Sequence, residues 1–319
     1  MPESERTALP WPTPAESPDA YLPLRRSALD AAEPAARCAL TVDLEEWFHG
    51  LELPPRRWSG LEERAVDATH TLLSLLAEHR ARATFFVLGR IAEAHPRLVE
   101  RILADGHEVG SHGYDHQLVY RQRPEGFARD LEASLLALRR ASAPEIVSYR
   151  APSFSMVRRS LWALDLLAEA GITRDSSIVP ARGSRYGIAS APLAPRLIRT
   201  ASGRPLMELP ISCLALGPAR FPFGGGSYLR LLPLPLFRAA IRRTLGEGRP
   251  IVVTIRPWEL DPDQPRLRLA ARVAAAHYYG LGSTAGKLAA LLQEFRWTTL
   301  DAVAADWQAS GQWTVGSRR

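Results

Sequence analysis

Lysine is almost missing from this chain of 319 residues: Lys287 stands alone among 40 basic residues, the remainder being arginine. So lopsided a complement follows genomic base composition. The arginines are scattered, not gathered into the stripe with interleaved aromatics that a nucleic-acid-binding face requires. Nucleic acid is therefore set aside as a partner despite a formal charge of +6. Cysteine is scarce too. Cys38 and Cys213 are too few for a disulfide framework or a cysteine-ligated zinc site, and each adjoins an apolar run, so both are expected as buried, inert thiols. No stretch approaches the roughly 18 uncharged apolar residues of a membrane span, although peripheral association with a membrane stays open. The opening residues MPESERTALPWPTPAESPD lack the charged-then-apolar pattern of a secretory signal, so the chain is expected to be soluble and cytoplasmic. Also missing are GxGxxG and GxxxxGK(S/T), which removes the main support for a dinucleotide or P-loop site.

What is present is an ordinary globular composition, 46% hydrophobic and 23% charged, which excludes a collagen-like or wholly disordered chain. Residues 1–37 carry seven prolines and no sustained apolar periodicity, and read as a flexible leader. One domain is expected over 38–310 and a short tail over 311–319. From CALTVDL onward, strand and helix alternate. Apolar spacing predicts helices over 61–80, 91–104, 125–141, 160–170, 236–245 and 283–295. Strands are predicted near 38–43, 83–88, 107–110, 146–149, 172–175, 206–211 and 250–255. That alternation predicts a parallel α/β fold of about seven strands. A barrel is favoured over an open sheet because the polar clusters fall at strand C-termini, where a barrel gathers them into one mouth.

Five such clusters stand out. The first strand runs into Asp43, Glu45 and Glu46, three carboxylates whose mutual repulsion calls for a cation if they are buried. Ser111–His116 holds His112 and His116 at i and i+4, a spacing that on one face of a helical turn converges on a metal ion. Arg150 leaves the strand at SYRAPSFS and is placed to hold a carboxylate bidentately. Asp175 follows another strand end, and PIVVTI ends in Arg256-Pro257-Trp258-Glu259. Two imidazoles and a carboxylate form the ligand set of a catalytic metal with an open position, and a second carboxylate nearby is free to take a proton from water.

With these stretches in view, the sequence resembles the polysaccharide deacetylases, the NodB-homology group within carbohydrate esterase family four. It is most similar to the branch associated with exopolysaccharide clusters and exosortase systems. The matching stretches are TVDLEEWFH (41–49), the run from ATFFVLGR to GSHGYDH (83–116), SYRAPSFS (148–155), RDSSIVP (174–180), FPFGGGSYLRLLP (221–233) and PWELDPDQPR (257–266). The resemblance implies a distorted, incomplete (β/α) barrel over 38–310, a divalent metal, usually zinc, and removal of acetyl groups from an N-acetylated glycan. Carried over, Asp43 matches the catalytic base, His112 and His116 the metal histidines, and Glu45 or Glu46 the acidic ligand. Glu45 is preferred because it alternates with Asp43. Arg150 matches the arginine that orients the base, and Asp175 the acid that orients a catalytic histidine. Gly224, Gly225 and Gly226 fall in a glycine loop of that branch; Gly225 and Gly226 are candidates to line the substrate, and Trp258 is expected either to stack on a sugar face or to sit as a rim or core tryptophan.

One departure is plain. Where that branch reads leucine-histidine-proline-tryptophan-glutamate, with the histidine as general acid, this chain has Ile255-Arg256-Pro257-Trp258-Glu259. A guanidinium does not release a proton near neutrality. Arg256 is left to stabilise an oxyanion or hold an anionic substrate. Two alternatives to a deacetylase follow: a glycan-binding homologue with weak or no turnover, and a metal-dependent hydrolase of a non-sugar amide. His277 is expected as a packed histidine before a turn, and His49 as a neighbour of the site rather than a ligand.

Overall fold

Strand β1 (Cys38–Leu44) is buried along its whole length and divides its side chains between two cores. Leu40, Val42 and Leu44 join the large core under the helices. Ala39 enters a second core, and Thr41 and Asp43 follow it on that side by simple alternation. The computed structural model describes residues 37–51, 53, 55–143, 145–183 and 186–311. The leader expected over 1–37 and the tail over 311–319 lie outside the described residues, save Arg37 and Gly311.

Helix α1 (Ala65–Glu78) returns the chain to β2 (Thr84–Val87), parallel to β1. Its buried side is the predicted one, with Ala65, Ala68, Leu72, Leu73 and Leu76. The single helix predicted over 91–104 is two, α2 (Gly89–Ala94) and α3 (Pro96–Ala104). Pro96 has no N–H to donate and drives His95 out of helical dihedrals, to φ −131° and ψ 58°. Then β3 (Glu108–Ser111), α4 (Pro124–Arg140), β4 (Ser148–Tyr149), α5 (Ala163–Glu169) and β5 (Arg174–Asp175) continue the predicted alternation. Next the regularity breaks. β6 (Arg196–Arg199) pairs antiparallel with β7 (Pro205–Glu208), and β8 (Leu214–Leu216) and β9 (Ala219–Phe221) form a separate hairpin. Helices α6 (Gly226–Leu231) and α7 (Leu234–Gly246) lead to β10 (Ile251–Ile255). The chain then runs through α8 (Ala271–Tyr278), α9 (Leu281–Glu294), β11 (Trp297–Thr298) and α10 (Leu300–Ala309).

The main sheet has the order β10-β1-β2-β3-β4-β5-β7-β6, with β11 also on β1. Every pairing in it is parallel except that of β6 with β7, which gives the curled, incomplete (β/α) barrel expected. Helix α10 stops one end: Leu300, Val303 and Ala304 fill the inner core, and the Leu300 N–H donates to Thr84 Oγ1 at the start of β2 (2.8 Å). The opposite end, where the strands finish, is the one that carries the polar clusters.

Among the described residues no ladder joins β7 to β10; single hydrogen bonds span the seam. The Ser212 N–H donates to Val252 O (3.1 Å), the Gly224 N–H to Ser212 O (2.9 Å), and the Thr254 N–H to Gly224 O (2.9 Å). Gly224 is required here by contact. A Cβ on it would stand 2.4 Å from Val252 O and 2.8 Å from Ser212 N, both backbone atoms of the seam. Gly224→Ala is therefore expected to cost about 1–3 kcal/mol, as overpacking does, read as a lower urea midpoint. An unchanged midpoint would show that the seam yields freely.

Candidate active site

Strand register builds the mouth. Val42 stands opposite Ile255 on β10 and Phe85 on β2, Ser111 opposite Tyr149, Tyr149 opposite Asp175, and Asp175 opposite Glu208. The residues that follow, among them Glu45, His112, Arg150, Ser176 and Arg256, therefore emerge at one level from neighbouring strands.

Arg150 is the hub and is fully buried. Its Nη1 donates to Asp43 Oδ1 (2.9 Å), Thr41 Oγ1 (2.6 Å) and Thr254 Oγ1 (3.0 Å). Its Nε donates to Ser176 O (2.8 Å) and its Nη2 to Ser176 Oγ (2.7 Å). Phe86 and Phe154 cover the guanidinium, at 4.3 and 5.2 Å from their ring centroids. Burial pulls its pKa below the ordinary arginine value, and the Asp43 charge opposes that shift. The result is a carboxylate held in one orientation by a rigid cation. Thr41 and Thr254 were not singled out from sequence, yet they are register partners and each is a polar residue inside an apolar strand, which is the signal to look for.

Glu45, His112 and His116 offer three donor atoms within 4.8 Å of one another, all buried. His112 Nδ1 is bonded to Arg150 O (2.9 Å), which points Nε2 at the cluster, the arrangement that fixes a metal-binding imidazole. Glu45 Oε2 lies 2.7 Å from His116 Nε2 and 3.8 Å from His112 Nε2. Even so, His116 Nε2 is buried and makes no hydrogen bond. A buried imidazole nitrogen 2.7 Å from a carboxylate but not hydrogen-bonded to it, converging with a second imidazole, fits a divalent ion. The route to that convergence differs from the expected helical turn. Residues 112–116 form a loop after β3, with Gly113 at φ 76° and His116 at φ 54°. Asp130 on α4 holds it by accepting from the N–H groups of Tyr114 (2.9 Å) and Asp115 (3.4 Å). A Cβ on Gly113 would stand 2.9 Å from Asp130 Oδ2, so that close approach needs glycine.

Glu46 is not part of the cluster. Its carboxylate turns away to the start of α1 and accepts from the N–H groups of Arg64 (2.9 Å) and Ala65 (3.0 Å). Burial pushes its pKa up to about 7 against the pull of those donors. His49 accepts from the Glu46 N–H through Nδ1 (3.2 Å) and stacks on His116 at 5.3 Å, a neighbour as expected. Beyond it lies a cavity of about 300 Å³ lined by Phe48, His49, Trp58, Glu63 and Arg90.

Arg256 reaches the same carboxylate from the other side. Its Nε is 2.8 Å from Glu45 Oε1, which also faces Trp258 Nε1 at 3.4 Å. Burial opposes the Arg256 charge, but Glu45 and Glu259 outweigh it and raise the guanidinium pKa. Of the two places expected for Trp258, the structure shows the core one. The indole is 2% exposed, with His277 stacked on it at 4.5 Å and the Arg230 guanidinium 5.4 Å from its centroid. His277 is packed, as expected; burial brings its pKa down to about 3, so the neutral ring donates from Nε2 to Gln264 Oε1 (3.0 Å). Gly225 precedes α6, with Tyr228 and Pro222 as its neighbours, and Gly226 opens that helix; the described contacts tie neither to the triad.

Asp175 stands where an acid that orients a catalytic histidine was expected, and its partners are others. It accepts from Ser177 Oγ (2.5 Å), while Glu208, its register partner on β7, accepts from the Ile178 N–H (3.0 Å). The remaining oxygens, Asp175 Oδ2 and Glu208 Oε2, are buried and receive no hydrogen bond. Burial, then the Asp175 charge, holds Glu208 well above the usual carboxylate range. A folded-state pKa above the unfolded value of about 4.3 contributes stability that is complete below that pH and declines as pH rises, by up to about 1.4 kcal/mol per unit. Glu208→Gln supplies a permanent N–H instead. Its urea midpoint is expected to fall less between pH 5 and 8 than the wild type's; parallel curves would contradict the raised Glu208 pKa.

Residues 59–173 match the polysaccharide deacetylase family, and residues 176–305 match a domain of unknown function, DUF3473. A chitooligosaccharide deacetylase of Sinorhizobium fredii is 37% identical over 132 residues, 38% of this chain and 55% of that protein. A peptidoglycan-N-acetylglucosamine deacetylase of Bacillus cereus is 26% identical over 125 residues, 35% of this chain and 45% of its own length. The chain spans about half the length of the relatives it matches. Among solved structures, a Mycobacterium smegmatis protein assigned to the polysaccharide deacetylases superposes with a TM-score of 0.58 at 20% identity, covering 91% of this chain and 96% of that one. At that identity the likeness concerns the fold.

Proposed function

We propose that this chain, whose residues 59–173 match the polysaccharide deacetylase family, is a metal-dependent hydrolase removing N-acetyl groups from a glycan or glycan precursor, with exopolysaccharide synthesis as its setting. The observation that carries this reading is the buried convergence of Glu45, His112 and His116 beside the Asp43–Arg150 pair. A divalent ion bound by those three residues supplies Lewis acidity, polarising a carbonyl and acidifying water.

The chain's own residues do the rest. Arg150 holds Asp43 Oδ1, which leaves Oδ2 to accept the proton of the water that attacks the acetamide carbon. Collapse of the tetrahedral adduct breaks the C–N bond and needs a proton on the departing amine. Arg256 cannot give one. The proton that Asp43 has taken is then returned by Asp43 itself, so that one carboxyl group serves as base and afterwards as acid. The cavity beyond His49 is of a size that takes part of a glycan.

A specific observation favours a second reading, a glycan-binding homologue with little turnover: position 256 carries a guanidinium already paired with Glu45. One experiment separates the two. The purified protein is loaded with Zn2+, its metal content is measured, and acetate release is followed on N-acetylated chitooligosaccharides, peptidoglycan fragments and an acetylated exopolysaccharide. Acetate from any of them supports the hydrolase. A fully loaded protein that binds glycan without releasing acetate supports the second reading, and a protein that takes up no metal defeats the first.

A further inference from the structure

Glu45 has two carboxylate oxygens and each is already addressed. Oε2 faces the two histidines, and Oε1 faces Arg256 Nε at 2.8 Å and the Trp258 indole N–H at 3.4 Å. Arg256 is not loosely placed. Its backbone N–H donates to Glu259 Oε2 (3.0 Å), its Nη1 lies 4.0 Å from Glu259 Oε1, and its guanidinium sits 5.6 Å from the Trp258 centroid. Glu259 is buried in turn and held by buried Arg230 at 2.7 Å. The guanidinium of Arg230 is fixed by the carbonyls of Ala276, His277 and Tyr279. The four groups alternate in sign: Arg230, Glu259, Arg256, Glu45. Two cations balance two anions, so Glu45 is fully compensated before any metal arrives.

We propose that Arg256 and a divalent ion compete for the Glu45 carboxylate, so that the chain carries its own counter-ion at the triad and holds metal at least tenfold more weakly than it does without that charge. The inference rests on the metal-dependent reading given above. Its physical content is a contest between two effects. A hydrogen bond from behind a ligating carboxylate orients it, and such outer partners typically change metal affinity by about 10–100-fold. Trp258 provides an orienting donor of that kind without charge. Arg256 adds a full positive charge on the same carboxyl group, and repulsion between like charges at such range is strong where water is excluded. The charge decides the sign. The benefit on the other side is a triad that stays folded without metal, since Glu45 keeps a cationic partner throughout.

The test titrates Zn2+ alone, by competition with a chromophoric chelator, into the wild type, Arg256→Gln, Arg256→His and Arg256→Lys. Arg256→Gln and Arg256→His are expected to bind at least tenfold more tightly than the wild type, and Arg256→Lys, which keeps the charge, to stay within about threefold of it. Thermal unfolding gives the reciprocal view, because a ligand stabilises in proportion to its occupancy of the folded state. Chelation should barely move the wild-type melting temperature, whereas Zn2+ should raise that of the two neutral-side-chain variants markedly. Should either variant fold only when Zn2+ is supplied, competition for Glu45 is again supported. Equal or weaker binding by both, or a wild type that loses its fold on chelation, overturns the inference while the hydrolase reading stands. Failure of all four proteins to take up Zn2+ defeats the metal-dependent reading itself.

Discussion

Arg256→His is expected to raise acetate release by about 10²-fold or more, because a positioned general acid is worth roughly 10²–10⁴ in rate. The substitution removes a buried cation from beside Glu45 and Glu259, a charge that bound Zn2+ replaces at Glu45, but it leaves the backbone in place. Position 256 is fixed by its backbone N–H to Glu259 and by β10, and neither depends on the side chain. What changes is proton supply. An imidazole there titrates near neutrality, where a guanidinium is permanently charged. Two gains are mixed in the raw rate, since the variant is also expected to bind metal more tightly. They separate when kcat is measured at saturating Zn2+, where occupancy no longer limits and only chemistry differs. A bell-shaped pH profile, absent from the wild type, would mark the new acid. An unchanged kcat at saturating Zn2+ would show that amine protonation does not limit this enzyme and that Arg256 is neutral to the chemistry.

The fold was legible where periodicity is strong and illegible where packing alone decides. The regular alternation from β1 to β5 followed from apolar spacing, and α1 and α4 fell within a few residues of their predicted ends. β7 was expected, but its neighbours β6, β8 and β9, with α6, α8 and α10, are short elements whose pattern is too brief to stand out, and the α10 plug is defined by what it covers rather than by its own sequence. In the site, residue types and strand ends were enough to nominate Asp43, Glu45, His112, His116 and Arg150. Direction was not. Adjacent Glu45 and Glu46 diverge because one follows the barrel interior and the other meets the unpaired N–H groups opening α1. Trp258 was nominated for its chemistry and is consumed by packing against His277 and Arg230. Partnerships between strands distant in sequence, such as Arg256 with Glu45 and Asp175 with Glu208, depend on which strands neighbour one another, and no local pattern encodes that.

Asp43→Asn is expected to reduce acetate release by about 10⁴-fold or more, the upper end of what acid–base catalysis contributes, because in the wild type one carboxyl group both takes and returns the proton. The variant should fold. Removing one partner of a buried ion pair outright costs about 3–5 kcal/mol, but asparagine keeps an oxygen where Arg150 Nη1 donates, so the loss should be smaller. Zn2+ affinity should be nearly unchanged, since Glu45, His112 and His116 are untouched, and that measurement guards against a trivial loss of the site. The decisive comparison is a cycle with Arg256→His, because coupled residues depart from additivity. If Asp43 performs both proton transfers, its removal costs more in the wild type, where both are lost, than in the histidine background, where the imidazole still protonates the amine. If Asp43 is a base and nothing else, the two penalties are equal, and the proton for the departing amine must come from another group.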